Sequence, residues 1–76
     1  IAPCQLRPES RGSVHLKSPD PATHPAIRPN YLADPLDREL VVAGLKFGRA
    51  LAATDPLAAY IDHETNPGSN VQGDAE

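Results

Sequence analysis

A chain of 76 residues makes at most one small domain, and folding at that length buries only about 60% of the unfolded surface. A formal charge of −3, with seven Lys and Arg, one Phe, two Tyr and no Trp, supplies neither the basic face nor the stacking platforms of a nucleic-acid binder. One cysteine excludes an internal disulfide framework, and no stretch approaches the ~20 apolar residues that span a bilayer.

Two short strands are predicted first. Ala2, Cys4 and Leu6 alternate with Ile1, Pro3 and Gln5, and Val14 and Leu16 alternate with Ser13, His15 and Lys17, so each run has one face to bury. Pro3 confines the first run to an edge. The residues between the runs form a hairpin loop in which Pro8 fixes one φ angle and Gly12 can adopt a positive φ. Ser18 to His24, rich in Pro and Asp, is an exposed turn that returns the chain. Ala26 to Leu32 is a third extended piece, interrupted by Pro29, with pairing expected near Tyr31.

The pattern becomes helical at Asp34, which serves as N-cap before Pro35 at the first helical position. Asp37 then places a carboxylate where the helix dipole favours it. Leu36, Leu40, Phe47 and Leu51 form one apolar stripe, with Ala43 between them, and Val41, Leu45, Gly48 and Ala52 form a second. Arg38, Glu39, Lys46 and Arg49 fill the remaining arc. Two strands and a loop would cover one stripe and hardly both, so a second partner surface is implied. Thr54-Asp55-Pro56 repeats the cap and proline, and Leu57 to Ile61 make a short second helix ended by Asn66-Pro67-Gly68. Gly73-Asp74-Ala75-Glu76 reads as the cap of another helix.

Candidate chemistry is sparse. Ser10, Arg11 and Gly12 could cradle an anion, but one Gly without a following helix makes a poor cradle. A turn whose Ser bonds local backbone and whose Arg meets a carboxylate is the simpler reading. Cys4, His15, His24 and His63 have none of the paired spacings that build zinc sites, and Cys4 reads as a buried inert thiol. Asp62-His63-Glu64 sets an imidazole between carboxylates with no neighbouring nucleophile, and reads as a solvated helix terminus. Asp34, Asp37 and Glu39 are explained by capping and dipole, and Gly44 and Gly48 let another backbone approach the helix.

Leu6-Arg7-Pro8-Glu9-Ser10-Arg11-Gly12-Ser13-Val14, then Pro25-Ala26-Ile27-Arg28-Pro29-Asn30-Tyr31-Leu32, then an acid-led helix resemble the C-terminal, substrate-side part of glucose-methanol-choline (GMC) oxidoreductases. Members of that family read L-R-P-x-S-R-G-x-V, then P-x-I-x-x-N-Y-L, then D-x-x-D and a long helix. The resemblance implies an α+β fold, here a fragment of an antiparallel sheet of two to three short strands with one long flanking helix and one short helix. It implies structural roles for Pro8, Ser10, Arg11, Gly12 and Val14 in a turn and strand, for Asn30, Tyr31 and Leu32 in the next extended segment, and for Asp37 at the helix start. His15 stands where relatives often carry Arg.

The family binds FAD through a Gly-rich fingerprint and oxidises alcohols with a catalytic His in a later H-P-x-G-T segment. No G-x-G-x-x-G occurs here, and His24-Pro25 is followed by Ala26-Ile27, so no catalytic, cofactor-binding or metal residue is assigned. Residues 1–76 are accordingly expected to be a partial GMC C-terminal domain, incomplete at both ends; a start at Ile1 without methionine fits that reading. The implied function is scaffold within an FAD-dependent enzyme acting on the CH–OH group of an alcohol such as choline. Its partners would be the FAD-binding domain and the rest of the substrate domain, with no nucleic acid and no zinc. The alternative is a stand-alone interaction module derived from that domain. No signal peptide is visible, so a cytoplasmic location, or one peripheral to the membrane, is expected for the parent.

Overall fold

The computed structural model describes residues 1–74. In chain order they form strand β1 (Ser13–His15), strand β2 (Ala26–Arg28), helix α1 (Pro35–Ala52) and a 3-10 turn at Leu57–Tyr60, a small α+β arrangement. The chain separates into two compact units, one from Gln5 to Val41 and one comprising Ile1–Cys4 with Val42 onward.

In the first unit β1 pairs antiparallel with β2, setting Val14 opposite Ile27. No strand forms over Ala2 to Leu6, contrary to the alternation there. Pro3 and Pro8 remove ladder donors, and the side chain of Gln5 and the N–H groups of Glu9 and Ser10 are engaged by a carboxylate instead of a strand. The hairpin therefore joins β1 to β2 through residues 16–25. Within that loop the expected turn is present: Asp20 Oδ1 accepts from the Ala22 N–H (3.0 Å), and Ser18 Oγ accepts from the Asp20 N–H (3.1 Å).

β2 ends at Arg28, because Pro29 has no N–H to give. The extension expected through Leu32 is replaced by a turn with Asn30 and Leu32 in the left-handed region, at φ 54° and 58°. Tyr31 consequently pairs with no strand. Gly12 is also corrected. Its φ is not positive, and its requirement is space, since a Cβ there would overlap the carbonyl groups of Arg28 and Pro29.

Helix α1 starts as its sequence dictates, with Asp34 Oδ1 accepting the Leu36 N–H at 2.8 Å and Pro35 first in the helix. In the second unit, Gly44 and Gly48 admit the N-terminal segment. A Cβ on Gly44 would lie 2.8 Å from Pro3 Cβ, and one on Gly48 would lie 3.5 Å from Ile1 Cγ2. The expected second helix is the four-residue 3-10 turn, and no side chain caps it. Thr54 Oγ1 donates instead to the Leu51 carbonyl at 2.6 Å, closing α1. The cap read at residues 73–76 falls partly outside the described residues.

Among the described residues no hydrophobic side chain is buried, and the one fully buried side chain is Asp37, 1% exposed. Leu36, Leu40, Phe47 and Leu51, the first predicted stripe, are all exposed. Cys4 is exposed as well, which overturns the buried-thiol reading and follows from the missing first strand. No helix among the described residues is long and apolar enough to cross a membrane.

Candidate functional site

A carboxylate in the first turn of a helix ordinarily faces solvent and interacts with the helix dipole from outside. Asp37 does more than that. Its Oδ1 accepts from Gln5 Nε2 (2.8 Å) and the Glu9 N–H (2.9 Å), and its Oδ2 accepts from the Ser10 N–H (2.7 Å). The Ser10 hydroxyl is the largest influence holding the Asp37 carboxyl well below the usual carboxylate range. Burial opposes it, and the Glu9 and Ser10 amides and Gln5 add to it. So many donors on one carboxylate fix it as the anion and leave it a poor proton acceptor. Its chemistry is to hold a loop in place.

That loop is the Pro8 to Gly12 run, and it is braced from three further directions. Ser10 Oγ accepts the Asp34 N–H at 3.0 Å, joining the loop to the residue that caps α1. Arg11 Nη1 donates to the carbonyls of Pro8 (2.7 Å), Glu9 (3.0 Å) and Ser10 (3.0 Å), so the loop carries its own cross-brace. Asn30 Nδ2 donates to the Arg11 carbonyl at 3.0 Å, and Gly12 lies against the Arg28 and Pro29 carbonyls.

The structure thus gathers Pro8, Ser10, Arg11, Gly12, Asn30 and Asp37 from three separate stretches. Val14 lies beyond the loop in β1, opposite Ile27. Tyr31 stands 83% exposed beside the cluster in sequence, and the Leu32 carbonyl accepts from Arg38 Nη1 at 2.7 Å. Two turn expectations change. Ser10 bonds across the chain to Asp34 and Asp37 and not to local backbone, and Arg11 meets carbonyls and not a carboxylate. The carboxylate is met by the backbone.

Gln5 and Arg38 carry bonds that the sequence pattern does not announce. The alternation places Gln5 in a strand and the helical spacing places Arg38 on the arc beside the apolar stripes, whereas its guanidinium also holds the Ala33 carbonyl at 2.9 Å. Nothing in their spacing reports either bond.

The second unit has its own polar centre. Arg49 forks onto Glu64, Nε to Oε2 at 3.0 Å and Nη2 to Oε1 at 2.9 Å, while Nη2 also reaches the carbonyls of Val71 (2.7 Å) and Gly68 (3.3 Å). Glu64 Oε1 accepts the Gly68 N–H at 3.2 Å. The Arg49 hydrogen bond lowers the Glu64 pKa, and the same bond raises that of Arg49. Glu64 is therefore withdrawn from the Asp62-His63-Glu64 run, leaving the exposed contact of His63 Nδ1 with Asp62 Oδ2 at 2.8 Å. Beside the fork, an open groove of about 540 Å³ is lined by Ile1, Leu45, Ala52, Ile61 and His63 among others. No group of three or more His, Cys, Asp or Glu among the described residues could hold a metal ion.

A family model described as GMC oxidoreductase matches residues 8–76. The chain is 44% identical over 73 residues, 96% of its length, to an alcohol dehydrogenase [acceptor] of Pseudomonas putida. It is 41% identical over 71 residues, 93% of its length, both to a chloroplastic fatty acid photodecarboxylase of Chlamydomonas reinhardtii and to an oxygen-dependent choline dehydrogenase of Pseudomonas aeruginosa. The matched region is 12–13% of the length of each of these relatives. No solved structure matches the chain.

Proposed function

The chain belongs to the GMC oxidoreductase family as a C-terminal-domain segment, and we propose that it serves as substrate-domain scaffold within a longer FAD-dependent oxidoreductase acting on the CH–OH group of a small alcohol. The observation that carries this reading is the state of Asp37. The one buried ionisable side chain among the described residues is saturated by donors and placed to hold the motif loop, so it organises backbone and does not exchange protons with a substrate. The names of the relatives support the same assignment. A segment similar at 41–44% to an alcohol dehydrogenase, a choline dehydrogenase and a photodecarboxylase is one that different reactions share.

The residues present do not fit FAD. A dinucleotide pyrophosphate is held by a glycine-rich turn at a helix N-terminus, and the N-terminus of α1 carries the carboxylates of Asp34 and Asp37, which repel phosphate and already occupy its first turn. The flavin and the reacting groups therefore belong to other parts of the longer polypeptide, and no step of the reaction is assigned to the residues described.

The test is to express the complete reading frame that contains these residues and assay the purified protein with choline and short-chain alcohols against an artificial electron acceptor. Release of FAD on denaturation together with alcohol-dependent reduction of the acceptor is the expected result. A colourless protein, or a flavoprotein that oxidises no alcohol, overturns the reading. The alternative, an interaction module acting alone, draws on the exposed side chains of Leu36, Leu40 and Phe47. It requires a reading frame that ends close to these residues and a discrete dimer or complex in solution.

A further inference from the structure

No further inference is drawn: the strongest candidate, the open apolar groove lined by Ile1, Leu45, Ala52 and Ile61 in the unit containing Arg49 and Glu64, carries none because nothing in the structure shows what covers it.

Discussion

Asp37 couples acidity to order in the loop it holds. Its folded-state pKa lies below the ordinary value, foremost because of the Ser10 hydroxyl, so the ionised form binds the loop and the protonated form binds it less well. The stabilisation is complete above the unfolded carboxylate pKa, about 4, and is lost as pH falls through the lower folded value. Stability of the full-length protein is expected to decline from about pH 4 downward, with the slope against pH reporting the extra protons taken up on unfolding. Asp37→Asn removes that share of the slope. It also turns an amide NH2 toward a site built from N–H donors, so exchange of the Glu9 and Ser10 amides should accelerate by roughly tenfold or more, the factor attached to losing one charge-assisted hydrogen bond. Hydrogen exchange that leaves those two amides as protected as in the wild type would refute the anchoring role. Gly12→Ala probes the other side of the loop. A methyl group there has only the backbone of Arg28 and Pro29 to displace, and the cost should be about 1–3 kcal/mol in denaturant unfolding.

Helix α1 and the positions of β1 and β2 were legible from sequence, and the pairing of β1 was not: it pairs with β2 and not with the Ala2 to Leu6 run. The cap at Asp34, the proline after it and the apolar spacing are local signals that survive without tertiary context, and the helix begins where they place it. Asp34→Ala should accordingly cost about 1 kcal/mol while Asp34→Ser retains most of it, by thermal unfolding of the full-length protein. The alternation over Ala2 to Leu6 is equally regular, yet Asp37 recruits Gln5, Glu9 and Ser10 from residues about thirty positions earlier, and no local rule reports a pairing at that range. The motif residues could be named from resemblance, but what they do for one another could not. The spacing of Asp37 predicted only a dipole interaction, and the structure makes it the tie for a distant loop. Arg49 is the same case in the second unit. On the helix it reads as a solvent-facing cation, whereas its fork onto Glu64 and two carbonyls organises residues 64–71. Arg49→Lys keeps the charge and loses the planar fork, so limited proteolysis near Pro67 and Gly68 should become several-fold faster, as expected when local opening is less costly. Unchanged cleavage would show that the planar fork is dispensable for order in this segment.

Across the chain, a helix with apolar side chains over more than half its circumference coexists with the absence of any buried hydrophobic side chain among the described residues. A two-stranded sheet of three residues per strand does not supply the missing core either, because isolated hairpins are marginal in water. The scaffold reading resolves this by requiring that the longer polypeptide cover those side chains, and Phe47 makes the requirement measurable. Phe47 is 71% exposed. Left in solvent, it should tolerate truncation, since exposed positions away from special features change stability by no more than about 0.5 kcal/mol. Packed beneath other parts of the same polypeptide, it should behave as a core aromatic, and Phe47→Ala should cost about 3–5 kcal/mol. The expected outcome in the full-length protein is the larger value, measured by denaturant unfolding with the m-value unchanged so that the difference reports stability alone. A change within the surface range would leave the helix face uncovered in the intact protein. That result would remove the reason for assigning it a scaffold role and favour a face that waits for a separate partner.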